Sequence, residues 1–236
     1  FENSQYDFKF EYSDSNVFLV FDGIRINLDY IMYNKKAEEV VDPFNKFMIQ
    51  FEAIKKIESL KNQDGTSKYA IEFANDGVLV KILADGRKIA LNDILYDNNG
   101  ISKDQKDNNG AIIVSAVDSF DIAVDKEFVL IKQLKDEGYE IVLEGTGYFV
   151  LRDGVRVNIN DILYPKGAQS QQPQSVENAV KAFVSASDAI KELEALGYVI
   201  EYDKDNMPYV ALPDPLGSAN IRYIRLDYIL YPKTDE

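Results

Sequence analysis

The chain contains no cysteine, no histidine and no tryptophan among its 236 residues. Without cysteine there is no disulfide framework, no thiolate metal site and no thiol nucleophile. Without histidine the chain lacks the commonest general base, the commonest zinc ligand and every Ser–His or Cys–His nucleophile pair. These absences predict a protein with no catalytic residues, no metal site and no cofactor.

Positive charge is also scarce, because 26 lysines and arginines stand against 40 aspartates and glutamates, for a net charge of −14. Nucleic-acid affinity depends on clustered basic residues, so the sequence predicts no nucleic-acid partner. No apolar run approaches the roughly 18 residues that a membrane span requires, so membrane insertion is not expected. The expected partners are proteins, in a homo-oligomer or a larger assembly.

One short sequence motif, here called the phrase, occurs four times along the chain. It reads N-D-I-L-Y at 92–96 and 160–164, L-D-Y-I-M-Y at 28–33 and L-D-Y-I-L-Y at 226–231. The final tyrosines of the phrases are 63, 68 and 67 residues apart. Such a regular recurrence predicts tandem modules, each about the size of a minimal domain.

The residues before each phrase predict the structure of one module. Asp-Gly pairs at 22–23, 85–86 and 153–154 each lie between two alternating apolar runs, which favours a hairpin with a type I′ turn. Amphipathic stripes over 44–57, 120–134 and 176–193 predict helices. Asp42-Pro43 precedes the first of them, and Gly138 and Gly197 follow the other two. The sequence therefore predicts an α+β fold: tandem repeats of a helix packed on a three-stranded antiparallel meander (α-β-β-β), with a first unit that lacks its helix.

The predicted organisation has four units. The first is an incomplete repeat at 1–36, followed by a second unit at 37–99, a polar linker at 100–110, a third unit at 111–167, a second linker at 168–174 and a fourth unit at 175–236. The double-stranded RNA-binding fold also contains an α-β-β-β order, but its duplex contacts depend on basic residues. The acidity of this chain argues against that function.

The second position of the phrase is Asp29, Asn92, Asn160 or Asp227. Asp and Asn are interchangeable as caps but not as general acids or bases. We therefore expect the phrase to be a strand ending in an Asx-type turn, after which the apolar residues pack into the core. An alternative is that the final tyrosines form a contact surface for a partner. These residues are Tyr33, Tyr96, Tyr164 and Tyr231.

The sequence favours a non-enzymatic structural or interaction protein, a subunit of a larger assembly such as a virion component or a cell-surface or secreted protein. One alternative is a hydrolase that acts on glycans with Asp and Glu alone. Another is a small inhibitor-like module that binds a protein through the long loop at 213–220. The sequence leaves the compartment unknown, with an extracellular or virion location favoured over the cytoplasm.

Overall fold

The computed structural model describes residues 7–13, 16–32, 42–152, 155–164, 175–203, 207–213, 221–226 and 230. The chain divides into two compact units, Phe1–Ala123 and Val124–Glu236. Within the described residues there are four three-stranded antiparallel sheets, one two-stranded ribbon and six helices. The predicted α+β class is therefore confirmed.

The first unit contains two of the three-stranded sheets. Sheet 1 has the order β1-β2-β3 and sheet 2 the order β4-β5-β6, so each is a simple meander. A ribbon of β7 and β8 follows sheet 2. The elements are β1 (Lys9–Ser13), β2 (Asn16–Phe21), β3 (Ile24–Asn27), α1 (Leu28–Met32), α2 (Pro43–Ser59), β4 (Tyr69–Ala74), β5 (Gly77–Ile82), β6 (Lys88–Ala90), α3 (Leu91–Leu95), β7 (Gln105–Lys106) and β8 (Ile112–Val114).

The predicted type I′ turn is present at the first Asp-Gly pair. Asp22 and Gly23 have φ values of 49° and 79°, the double left-handed geometry of that turn. The prediction is wrong at Asp85-Gly86, because β5 and β6 are joined by a longer loop, in which the Gly86 N–H donates to the Ile82 carbonyl at 2.8 Å. There the Asp85 carboxylate accepts from the backbone N–H of Arg87 and pairs with its side chain, which favours the wider loop. The third pair, at 153–154, lies outside the described residues.

Helix α2 packs against both sheets of the first unit. On sheet 1 the ring centroid of Phe8 lies 5.3 Å from that of Phe47, and that of Phe21 lies 5.1 Å from that of Phe51. The Lys55 ammonium also pairs with Asp22. On its other side α2 contacts β4 of sheet 2. The sequence analysis assigned this helix only to the predicted repeat at 37–99, whereas in the structure it packs against both sheet 1 and sheet 2.

Helix α4 (Ala116–Asp136) begins in the first unit, and its first turns are fixed there by charge. Lys56 contacts Asp118 at 2.6 Å, and this hydrogen bond lowers the pKa of the Asp118 carboxyl. Asp121 pairs with Lys68 at 2.9 Å and accepts from the Tyr69 hydroxyl at 2.8 Å. The start of α4 is therefore tied to both α2 and sheet 2.

Residues 97–111 contain two D-N-N-G turns of the same geometry. The carboxylates of Asp97 and Asp107 each accept from the backbone N–H groups two and four residues further on, at 2.8–2.9 Å. Between the turns, Asp104 accepts from the N–H of Ala116, the first residue of α4. The stretch expected to be a linker is thus ordered by its own side chains.

The second unit contains sheet 3, of order β9-β10-β11, and sheet 4, of order β12-β13-β14. Gly138 and Gly197 follow the two long helices, as predicted. The elements after α4 are β9 (Glu140–Glu144), β10 (Gly147–Arg152), β11 (Val155–Asn158), α5 (Ile159–Leu163), α6 (Val176–Ala195), β12 (Val199–Tyr202), β13 (Pro208–Pro213) and β14 (Ile221–Arg225). The expected linker at 168–174 lies outside the described residues, as does most of the loop at 213–220.

Helix α6 contacts both sheets of the second unit, as α2 does in the first. Its first half contributes Phe183 to a core that includes Val150 of sheet 3 and Ile159 of α5. Its second half contributes Ile190 to a core with Val210 of sheet 4. These two cores account for much of the burial that stabilises the unit.

Candidate functional site

Three copies of the repeated phrase form five-residue helices, α1, α3 and α5, which corrects the expectation of a strand and an Asx turn there. Most of the fourth copy, at 226–231, lies outside the described residues. Asn158 lies just before α5, and its side-chain oxygen accepts from the N–H of Asn160 at 2.8 Å. Asn27 does the same for Asp29 before α1, at 2.8 Å. The cap is therefore two residues earlier than predicted, because the phrase residue lies inside the first turn as the donor.

Two of the four predicted contact tyrosines can be placed. Tyr96 directly follows α3 and Tyr164 directly follows α5, and each backbone N–H donates to the carbonyl four residues earlier. Tyr33 and Tyr231 lie outside the described residues. The tyrosine surface therefore stays a prediction.

The surroundings of these two tyrosines differ in detail. Burial raises the pKa of Tyr96, helped by the charge of Asp104, and the ring is half-buried. Burial also raises the pKa of Tyr164, helped by Glu127, although 39% of this residue is exposed. Both hydroxyls therefore stay protonated at neutral pH, and only Tyr164 presents a large surface to a partner.

A buried polar cluster joins the three helices of the first unit that precede β7. The Tyr30 hydroxyl of α1 is hydrogen-bonded to the backbone of Asn92 in α3, and burial raises the Tyr30 pKa well above its usual range. Gln50 of α2 donates to the Asn92 side chain at 3.4 Å. Gln50 and Asn92 are both buried. This cluster therefore ties α1, α2 and α3 together through polar contacts.

A cleft of about 490 Å³ in the second unit has charged walls. Three carboxylates, those of Glu137, Glu140 and Asp188, share it with Lys191 and the buried Arg152. The Arg152 guanidinium lies 5.2 Å from the centroid of the Phe183 ring. The cleft has the size of a small-molecule site, but its mixed charges select no single ligand class.

The face of sheet 4 that points away from α6, here called the outer face, carries exposed apolar side chains. Val199, Ala211 and Tyr223 lie side by side across its three strands. Val199 is 59% and Tyr223 50% exposed, and Ile221 on the same face is 52% exposed. An outer face in water is usually polar, so this surface is a candidate interface.

A second row crosses the same outer face next to the first. Glu201 lies opposite Tyr209, which lies opposite Arg225. Between the two rows a cleft of about 270 Å³ is lined by two carboxylates and three tyrosines. These residues are Glu201, Tyr202, Asp203, Tyr209 and Tyr223.

Hydrogen bonds at the end of the hairpin hold this cleft in shape. The Asp203 carboxylate accepts from the backbone N–H of Met207 at 2.9 Å and from the Tyr209 hydroxyl at 3.4 Å. The Asp203 N–H in turn donates to the Met207 carbonyl at 3.1 Å. These hydrogen bonds hold the Asp203 carboxylate next to the Tyr209 ring.

The sequence analysis missed the tyrosines of the cleft. Tyr209 and Tyr223 belong to different strands, and the strand register places them on the same face in neighbouring rows. A usable sign was present in β14, I-R-Y-I-R, where apolar residues occur on both faces. A strand with only one buried face would alternate apolar and polar residues.

The described part of the chain contains no cluster of three or more acidic side chains arranged to hold a metal ion. Within those same residues, no helix combines the length and the apolar character needed to cross a membrane. Comparison with protein-family models, with curated proteins and with solved structures found no match.

Proposed function

We propose that the chain is a non-enzymatic interaction protein, built from tandem α+β modules, that serves as a subunit of a larger assembly. The observation that carries this proposal is the exposed apolar row on the outer face of sheet 4. Large exposed apolar side chains that adjoin one another are typical of protein–protein contacts. We extend the proposal to a virion or cell-surface setting, which a chain without cysteine permits.

The order of the elements supports the tandem modules. Sheets 1, 2 and 3 are each meanders, and each is followed at once by a five-residue helix. The first apolar residue of that helix is buried in α3 and α5, at Leu91 and Ile159, and so is the equivalent Leu226 after sheet 4. Leu28, the corresponding residue of α1, is only half-buried. The shared order, with burial at three of the four equivalent positions, is what duplication of one module would leave.

The shared helices support an assembly role. Each of α2 and α6 packs against two sheets, so neighbouring sheets share one helix. Surfaces built by repetition in this way suit extended or symmetric partners, where several weak contacts act together.

The experiment is a measurement of solution mass by light scattering after size exclusion, over a series of protein concentrations. We expect the mass to rise above 26.8 kDa with concentration. The double variant Val199→Gln/Ile221→Gln should weaken this association. Leu83→Gln is the matched control, because Leu83 is comparably exposed but lies in the β5–β6 loop. A mass of one chain at every concentration, or equal weakening by both variants, would contradict the assembly role.

A glycan hydrolase remains the second candidate, because three carboxylates share the 490 Å³ cleft of the second unit. Such enzymes use two carboxyl groups that flank the bond to be cleaved. The test is hydrolysis of a panel of oligosaccharides by the wild type and by Glu137→Gln, Glu140→Gln and Asp188→Asn. Turnover that one of these variants abolishes would favour the enzyme and refute the non-enzymatic role.

A further inference from the structure

The cleft on the outer face of sheet 4 is small. Its volume of about 270 Å³ is close to the lower end of the range of about 300–1,000 Å³ that is usual for ligand sites. A single side chain or a small head group would fill it. The cleft therefore suits one residue of a partner that lies across the sheet.

The lining of the cleft is selective for positive charge. Tyr209 and Tyr223 lie on this face and contribute aromatic rings, whose faces carry negative electrostatic potential and attract cations. Tyr202 also borders the cleft, but strand alternation places it on the face toward α6. Glu201 and Asp203 add two carboxylates. No other residue type lines the cleft among the residues that the structure describes.

Positive charge already present on this face does not cancel that preference. Arg225 lies opposite Tyr209 in the same row as Glu201. Among the residues that the structure describes at this cleft and in its row, Glu201 and Asp203 carry two negative charges against the one positive charge of Arg225. The net charge of −14 on the whole chain also draws cationic partners toward the surface.

We propose that this cleft binds an organic cation, the lysine or arginine side chain of a partner protein. The inference rests on the proposed interaction role and names the chemistry of the partner at that surface. The cation would lie against the tyrosine rings, and the carboxylates of Glu201 and Asp203 would balance its charge. Since the cleft is open to solvent, each contact is weak and specificity comes from the combination.

The test uses the full chain with ¹³C-labelled tyrosine and follows its NMR shifts during peptide titrations. The probes are acetyl-Gly-Lys-Gly-amide, its arginine counterpart and its norleucine counterpart, which keeps the length of lysine but has no charge. We expect the two basic peptides to shift the tyrosine resonances of the cleft, and the norleucine peptide to leave them unchanged. Added salt should weaken the binding, because the carboxylate contribution is screened.

Variants assign the effect to the cleft. Tyr223→Leu and Glu201→Gln should each lower affinity for the basic peptides by about two- to fivefold, as expected for one exposed cation–π or charge contact. Tyr223→Phe should retain binding, because it keeps the ring. Tyr164→Leu is the control, since Tyr164 is also part-exposed but lies after α5. Far-UV circular dichroism confirms that each variant is folded.

Equal shifts with the norleucine peptide, no shift with either basic peptide, or a Tyr223→Leu variant that binds as well as the wild type would overturn the proposal. The outcome of this experiment can be distinguished from the outcome of the solution-mass measurement. A single-chain mass with selective binding of basic peptides would refute self-association and keep the cleft. Association without such binding would refute the cleft alone.

Discussion

The Asn27 side chain caps α1 and also makes two further hydrogen bonds that a helix cap does not need. Its side-chain oxygen accepts from the Asp29 N–H at 2.8 Å, which caps α1. Its side-chain nitrogen donates to the Asn75 carbonyl at 2.7 Å and to the Asn16 side chain at 3.0 Å. The residue is only 3% exposed. Asn27 thus holds sheet 1, α1 and the β4–β5 turn together.

Replacing Asn27 with alanine should therefore cost more than the loss of a cap. The cap contributes about 1 kcal/mol. Each of the other two hydrogen bonds contributes about 1 kcal/mol, since removing the donor leaves its partner unsatisfied in a part-buried place. We expect the free energy of unfolding to fall by about 3 kcal/mol in Asn27→Ala. In Asn158→Ala only the cap of α5 is lost, so we expect a fall of about 1 kcal/mol.

The assay is urea unfolding followed by far-UV circular dichroism, with the two transitions fitted separately if the units unfold apart. Asn27→Ser is the informative third variant, because serine keeps the cap and loses most of the other bonding. Its cost should lie about 1 kcal/mol below that of Asn27→Ala. The reasoning is refuted if Asn27→Ala costs no more than Asn158→Ala, or if serine recovers nothing.

Three further predictions concern the first unit. Ala90 precedes α3 with φ −65° and ψ 135° and provides no side-chain cap, so Ala90→Asn should stabilise the protein by about 1 kcal/mol; an unchanged urea midpoint would show that no cap forms. A Cβ at Gly77, where φ is 150°, would lie 2.7 Å from the Tyr30 ring, so Gly77→Ala should lower the free energy of unfolding by about 1–3 kcal/mol. A double-mutant cycle with Tyr30→Leu should show coupling between the two positions. Burial raises the pKa of Tyr30, so folding favours the neutral form of its hydroxyl. This contribution to stability is complete below the ordinary tyrosine pKa of about 10 and is lost as the pH rises above it. Tyr30→Phe should therefore reduce the loss of unfolding free energy at alkaline pH.

The long helices could be read from the sequence because each has its own apolar period. The stripe from Phe44 to Ile57 indicated α2 before any contact was known, and Pro43 marked its first turn. Strands β2 and β3 followed from alternation on either side of the Asp22-Gly23 turn. These features depend on neighbours within a few residues, which the sequence itself contains.

The helix caps at Asn27 and Asn158 and the cleft on sheet 4 could not be predicted from neighbouring residues in the sequence. Asn27 and Asn158 cap their helices because α1 begins at Leu28 and α5 at Ile159, before the predicted cap positions, and helix boundaries are the least certain part of a sequence-based prediction. Tyr209 and Tyr223 share a face through the register of β13 with β14, and the length of the connection between these strands does not fix that register. The burial of Asn92 depends on α2, which lies 42 residues away at Gln50.

The position of α2 between two sheets bears on how such a chain can evolve. A recombination point anywhere between sheets 1 and 2 would leave one of them without the helix that covers it. The same holds for α6 between sheets 3 and 4. If the proposed modules arose by duplication, the chain would grow in steps of one helix and one sheet together, and a lost step would be lost whole. A lineage that carries this architecture would vary in the number of sheets far more readily than in the content of any one of them.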